Sequence, residues 1–522
     1  FILFFSVKKA NSQVTPSWLI SQNGQNSQTS PAKIASDLAG GFYSVGSFSG
    51  TTTFGTYTII SGGASDAFLS KYDNAGNCIW AYNYGGIGNT AVTSGTSVAV
   101  DNAGDIYIAG TMTDTMTLGG FFLQRYGTIG TDIFLVKVNS SSGNVIWAKS
   151  FGGQQVDKVS AVTTDAIGNV YISGTYFWKC YFGPNDSIGN NTANDQIYIT
   201  KLNATGNVLW LKEAGSSTDD LCSGLKIQNN NLYLSGATYG NCSFGANSIN
   251  CTSPDGFIAM YNLNGINQWA KKIGGPQGDN VGDISVDNFG HVYLTGTIFQ
   301  NATFYSTTPP NITINAGNYD QVFIAKYDST GKCIWAQKCG NPNLGNSSGA
   351  VYADINGYCL LTGTFKGTAQ FGTFNVTSNG LEDAFLAKYN PAGSAQFAMK
   401  CGGIGIDRGY STCWLPGNEF IFSGTYQSSA TFGGLSVNTA SYATFITKIP
   451  GAMTGLESFD RNEENSFSVY PNPVSDFVNV RIPTGEKISL VEIKNMMGQT
   501  VLTSLESRVD VTPLITGAYT IN

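Results

Sequence analysis

Few side chains in this 522-residue sequence are of the kinds that do chemistry: a single histidine, His291, stands beside 34 Asp and Glu and 10 Cys. Histidine-dependent triads and histidine-ligated metal sites are therefore unavailable or rest on that one residue. His291 ends the segment Asp287, Asn288, Phe289, Gly290, at a position held by Asp105 and Asn169 elsewhere, and reads as an exposed turn residue. A second set is a recurring aspartate, Asp66, Asp132, Asp195, Asp255, Asp320 and Asp383. Placed on strands third from a common axis, these carboxylates stand too far apart to share a metal, and they read as turn caps that accept backbone N–H groups. The repeated Asp-x-x-Gly segments lack the ligand spacing and distal Glu of a calcium loop. No catalytic residue, metal or cofactor is expected from these sets. Carboxylates brought together across repeats cannot be seen in a sequence. A carbohydrate-active enzyme, hydrolase or lyase, thus stands as an alternative to a binding module, as does a structural spacer within a surface protein.

Binding chemistry has stronger candidates. Arg125 and Tyr126 in GGFFLQRYGTIGT, and Trp178 in YFWKCYFG, occupy inserts where other repeats carry small or polar residues. Aromatics beside a cation suit stacking on a sugar ring or anchoring a protein partner. Cys242 and Cys251 flank CSFGANSINC, whose own short hairpin would bring the two thiols together, so a disulfide is predicted there. Cys333 and Cys339 lie on one strand about 20 Å apart at roughly 3.3 Å per residue and cannot pair.

The elements that must position these residues come from a repeat. A Gly closing an apolar strand recurs at 46, 110, 174, 236, 296, 363 and 424, which is 378 residues over six intervals, a period of 63. The aspartates follow it, with Tyr442 as a degenerate seventh, and an aromatic completes the unit: Trp18, Trp80, Trp147, Trp210, Trp269, Trp335 and Phe397. Alternating apolar runs around Asp101 to Gly104 and around Gly143 predict four antiparallel strands per unit, A to D, apolar on both faces. Such a sheet needs cover on both sides, and radial stacking provides it. The predicted fold is all-β: a seven-bladed β-propeller of four-stranded blades, followed by a small β-sandwich. The last unit stops after strand C, while an orphan Trp strand at 17–20 opens the repeat region, so the N-terminal strand is expected to complete blade 7. Spacing varies most between strands B and C, which places the binding face at that end of the ring.

Gly is 64 of 522 and charged residues only 12%, which excludes a coiled coil or a disordered acidic chain. A net charge of -7 without a basic patch excludes nucleic acid as a partner. No segment approaches transmembrane length. FILFFSVKKANS reads as the tail of a signal peptide, with Ala10, Asn11 and Ser12 as cleavage site and Gln13 as the mature start. The organisation expected is 1–12 signal peptide remnant, 13–449 propeller, 450–466 linker and 467–522 C-terminal domain.

The G-N-x-Y-x-x-G-T, D-x-F-x-x-K-Y and G-N-x-x-W-A pieces of each unit resemble the SBBP-type β-propeller repeats of secreted bacterial proteins. That resemblance implies the fold and leaves activity open. Tyr470, Pro471, Asn472 and Pro473, the turn at Gly498, and Gly517 with Tyr519 resemble the type A C-terminal sorting domain of the type IX secretion system of Bacteroidota. The resemblance implies Sec export, recognition by the type IX machinery at the outer membrane, and a secreted or cell-surface location. The chain stops at Asn522, short of the basic final strand usual in that family, and reads as truncated at both ends. The function expected is a secreted or surface propeller that binds a glycan, polymer or protein.

Overall fold

The computed structural model describes residues 2–5, 16–22, 33–450 apart from 38, 87, 89, 190–192 and 418, and the C-terminal stretches 468–470, 476–481, 491–495, 500–504, 506–514 and 518–521. The chain divides into two units, Gln13–Ala452 and a second formed by Phe1–Ser12 with Met453–Asn522.

The first unit is the predicted propeller. Seven sheets each run A-B-C-D in hydrogen-bonded order. The A strands are Lys33–Ser36, Thr93–Val100, Asp157–Thr164, Asp220–Gln228, Asn280–Val286, Ser347–Ala353 and Arg408–Leu415. Each A strand touches the next, and the last touches the first, so the A strands form a closed inner ring. Blade 7 is built from Arg408–Leu415, Glu419–Phe432, Leu435–Ile449 and, as its outermost strand, Trp18–Gln22, which pairs antiparallel with residues 444–448.

The repeat's anchors are cross-strand partners. The strand B glycine lies opposite an aromatic of strand C: Gly46 faces Phe68, Gly236 Phe257, Gly296 Phe323 and Gly424 Phe445. Strand A bulges beside this glycine, as between Val281 and Asp283. A Cβ on Gly296 would collide with the Asn280 carbonyl oxygen and stand 2.7 Å from the Phe323 ring. Gly296→Ala is accordingly expected to cost about 1 to 3 kcal/mol, read as a lower urea midpoint with an unchanged m value.

The strand D tryptophans bind one blade to the next. The indole N–H of Trp147 donates to the Ala204 carbonyl at 3.0 Å, Trp210 to Leu263 at 3.0 Å, Trp269 to Ser329 at 3.1 Å and Trp335 to Pro391 at 3.0 Å, each acceptor lying in the following blade's C–D turn. A left-handed glycine of that turn, Gly206, Gly265, Gly331 or Gly393, lies against the indole and leaves no room for a side chain. The Lys of D-x-F-x-x-K-Y sits over the Tyr of strand B, as Lys137 over Tyr107 at 5.1 Å and Lys201 over Tyr171 at 5.0 Å.

The second unit holds two sheets. One orders Ile2–Phe5, Ala518–Ile521, Val491–Asn495 and Thr500–Ser504, and the other Ser468–Tyr470, Phe477–Arg481 and Arg508–Asp510. Val478, Val480, Val491, Ile493 and Val509 are buried. Of the sorting-motif residues, Tyr470 ends a strand and Tyr519 lies within one, while Pro471, Asn472, Pro473, Gly498 and Gly517 fall outside the described residues, as do Ala10, Asn11, Ser12 and Gln13.

Candidate functional site

The B–C connections, the most variable in spacing and predicted as a hairpin in blade 4, are β-hairpins in every blade. Those of blades 1 to 6 are Thr51–Phe54 with Tyr57–Ile60, Met116–Leu118 with Phe121–Leu123, Cys180–Tyr181 with Ser187–Ile188, Asn241–Ser243 with Ser248–Asn250, Asn301–Phe304 with Ile312–Asn315, and Thr368–Phe371 with Phe374–Thr377. In blade 7 strands B and C themselves continue as the hairpin, Ser429 to Phe432 pairing with Asn438 to Leu435. Several of these hairpins hydrogen-bond to the end of the preceding blade's strand D. Gly152 and Gly153 pair with Tyr181 and Cys180, Ile273 and Gly274 with Phe304 and Thr303, and Gly340 exchanges two 3.0 Å bonds with Gln370. Length differs because some hairpin tips carry more residues.

The residues singled out in the sequence flank the hairpins of blades 2 and 3. Residues 119–127 run beside strand D of blade 2, Val145–Gly153: Gly119 lies against Val145 and Gly127 against Gly153. Arg125 and Tyr126 are half-buried here. The Tyr126 amide donates to Asp132 Oδ2 at 2.7 Å, its hydroxyl to the Ser150 carbonyl at 3.4 Å, and the Arg125 guanidinium to the Gly130 carbonyl at 3.5 Å. Burial raises the Asp132 carboxyl to about 6, against the opposing Tyr126 amide and the Arg125 charge. At the far end of the same strand, Trp178 takes φ 72°, a left-handed conformation rare for a bulky residue. It is held by the Lys179 amide donating to the Phe177 carbonyl at 3.0 Å and by the Phe177 ring stacked 6.4 Å away. Lys179 Nζ sits over the Tyr181 ring at 4.9 Å. The three residues singled out in the sequence thus lie beside one D–A loop, residues 153–156. Lys179 and Tyr181, not singled out, join them there, at Gly153 and Gly152.

Of the strand C aspartates Asp66 and Asp383 cap turns, while Asp255 pairs with Lys272 instead at 2.7 Å. Asp66 accepts the Gly62 amide at 2.6 Å and Asp383 the Asn379 amide at 2.6 Å. A second series, from a G-x-x-x-x-D segment of the D–A loops, lies beside them. Asp279 accepts the Gly275 amide at 2.8 Å and Asp407 the Gly403 amide at 2.7 Å. Each pair sits between blades: Asp132 with Asp157, Asp255 with Asp279, Asp383 with Asp407. Burial, then the neighbouring carboxylate, raises Asp157 to about 8. Burial likewise raises Asp407 to about 7, with Asp383 contributing. These groups are at most 2% exposed, so no polymer reaches them. His291 is a turn residue, its Nδ1 2.9 Å from Asp287 Oδ2. Among the described residues no group of three or more His, Cys, Asp or Glu is arranged to hold a metal ion.

Cys242, on the first strand of the blade 4 hairpin, and Cys251, directly after the second, are buried, both as free thiols. Cys242 lies opposite Ile249, so the two stand on a diagonal rather than in direct register. The disulfide stays an expectation for protein matured in an oxidising compartment, worth at most about 2 to 3 kcal/mol for so short a loop. Mass spectrometry of alkylated protein is expected to show the bonded peptide pair, and two alkylated thiols would overturn it.

Residues 468–522 match the secretion system C-terminal sorting domain family. An uncharacterized WD repeat-containing protein of Acanthamoeba polyphaga mimivirus is 24% identical over 483 residues, 76% of this chain and 34% of that protein. The chain therefore spans about a third of that relative's length. Among solved structures, the Dos1 propeller is 9% identical with a TM-score of 0.42, covering 83% of this chain and 95% of that one. A protein of unknown function from Dyadobacter fermentans is 11% identical with a TM-score of 0.38, covering 84% and 100%. No described helix is long and apolar enough to cross a membrane. The tail is the address read by the type IX machinery, and it makes this a propeller exported to the cell surface or beyond.

Proposed function

We propose that the exported propeller is a binding module, and that it takes a glycan, polymer or protein partner on the rim of blades 2 and 3. The observation that carries this reading is the pair of exposed aromatic rings at the base of the blade 3 hairpin, Trp178 41% and Tyr181 37% exposed, with Lys179 between them in sequence. Isolated exposed apolar residues are ordinary. Two exposed rings with Lys179 over one of them, next to the blade 2 loop that carries Arg125 and Tyr126, suit stacking and a hot-spot anchor. Trp178 is in addition held in a left-handed backbone conformation, the kind of local cost that persists where the surroundings impose it and that marks functional sites.

A glycan and polymer array on the full chain, with product analysis of each hit, is expected to return ligands bound without turnover. Trp178→Ala and Arg125→Ala are expected to weaken a hit by about 1 to 3 kcal/mol each, roughly 5- to 150-fold, with the melting temperature kept. Ile167→Ser, in an A–B turn on the opposite face, is expected to leave affinity unchanged. The reverse pattern would put the site on the wrong face, and released products would make the protein an enzyme.

A further inference from the structure

The inner ring carries charge that the rim does not use. Each A strand is the inner edge of its sheet, and the backbone amides on that edge find no fifth strand. In three blades a side chain of the preceding blade accepts such an amide. Ser97 Oγ accepts the Val162 amide at 3.2 Å, Asp283 Oδ2 the Val351 amide at 3.0 Å and Ser411 Oγ the Ile34 amide at 3.2 Å. Ser97, Asp283 and Ser411 are register equivalents, each opposite the residue that precedes the strand B glycine. The same position holds Lys33 in blade 1, Ala161 in blade 3 and Gly224 in blade 4, none with an acceptor. The equivalent amides of Val98, Leu225 and Ile284 therefore lack this partner.

Of the three lysines on the A strands, Lys158 lies near Asp195, and Lys33 and Lys226 fall beside those amides. Lys33 occupies the position from which Val98 would be capped, and Lys226 directly follows Leu225. Among the described residues neither ammonium has a hydrogen bond or ion pair. Lys226 is exposed to solvent although it lies on an inner-ring strand. Enclosure disfavours its charge most; Asp283 favours it, and Lys33 is near enough to disfavour it further. Asp283 is already committed to the Val351 amide. Two ammonium groups thus face one carboxylate within a protein of net charge -7.

We propose that the central channel binds a small oxyanion between Lys33 and Lys226, with the free edge amides of blades 4 and 5 as further donors. Charge-assisted N–H···O bonds to an anion satisfy the ammonium groups and the edge amides together, which water does less well. The site is independent of the rim and of whatever the rim binds.

The test uses the full chain at constant ionic strength and pH 7, with inorganic phosphate, sulfate, acetate and chloride in parallel. Phosphate or sulfate is expected to raise the melting temperature saturably and to give a 1:1 binding isotherm. A response to acetate as well would extend the ligand class to carboxylates. Lys226→Met is expected to weaken phosphate at least tenfold with the circular dichroism spectrum unchanged, Lys33→Met to do the same, and Lys226→Arg to retain binding. Equal responses to chloride and phosphate, no isotherm with either oxyanion, or full affinity in both methionine variants would each overturn the proposal. Should Lys226→Met not fold, the Lys33→Met isotherm decides alone.

Discussion

Removal of Gln13 to Gln22 is expected to lower the stability of the propeller by several kcal/mol and to broaden its unfolding transition. The deletion takes away strand D of blade 7, Trp18–Gln22, whose five residues pair with strand C and leave it an unpaired edge. It also removes the joint between first and last blades. The Trp18 indole N–H donates to the Asn74 carbonyl at 3.2 Å, and its ring stacks on Phe42 at 5.9 Å and lies against Gly76, the latch seen at the other blade junctions. Buried Gln22 donates from Nε2 to the Tyr72 hydroxyl at 2.7 Å, and Ser21 Oγ bonds the Tyr426 hydroxyl at 2.5 Å. Trp18 is half-buried, so its loss costs less than the about 3 to 5 kcal/mol of a fully buried aromatic, and unsatisfied partners such as Tyr72 add to it. Trp18→Ala isolates the latch from the strand and is expected to show a part of the loss. Denaturant unfolding of both variants against the full chain measures this, and an unchanged midpoint in the deletion would mean that the ring closes by other contacts.

The seven-blade fold was legible because its three anchors are forced by geometry. A glycine must sit where an aromatic ring and a bulged carbonyl converge, so it recurs without variation, and a period of 63 is visible from it alone. The role of each anchor was less legible. Trp147 and Trp210 read as blade core, yet each reaches into the next blade's turn. Sequence periodicity reports that a residue is apolar, not which sheet it meets. Outside the blade 4 insert, the B–C hairpins had a signal that went unread: an apolar-Gly step recurs at Phe54, Leu118, Phe182, Phe244, Phe371 and Phe432. In most blades this ring lies on the strand C aromatic, as Phe371 on Phe385 at 4.6 Å and Phe432 on Phe445 at 4.5 Å. Unequal spacing located the variation without giving its form, because insertions at a hairpin tip and insertions in a loop look alike in a sequence. The carboxylate pairs between blades were not legible, since 24 or 25 residues separate Asp132 from Asp157 and Asp383 from Asp407 and only closure of the ring brings them together.

Those pairs make stability fall as pH rises, the reverse of the usual carboxylate behaviour. An Asp whose folded pKa lies above its unfolded value of about 3.9 binds more protons folded than unfolded between the two values, and the native state loses stability across that interval. For Asp157 the window runs from about 4 to about 8, and for Asp407 from about 4 to about 7. Both carboxyls are fully buried, so little solvent screening reduces the effect. Neither Asp157 oxygen has a well-formed hydrogen bond, which is why burial there outweighs the nearby Gly153 and Phe177 amides. Each pKa unit is about 1.4 kcal/mol, so the loss expected from Asp157 is on the order of a few kcal/mol between pH 4 and 8. Asp157→Asn keeps the shape and removes the charge that ionisation would bury. It is therefore expected to match the parent near pH 5 and to exceed it near pH 8.5, flattening the pH profile of the urea midpoint. Asp66→Asn makes a suitable comparison, because Asp66 is equally buried and caps the Gly62 amide but has Thr93, not a second carboxylate, across the blade junction. A parent profile that rises from pH 5 to 8.5, or an Asp157→Asn profile parallel to it, would mean that the carboxylates are ionised in the folded ring and held there by partners other than a shared proton.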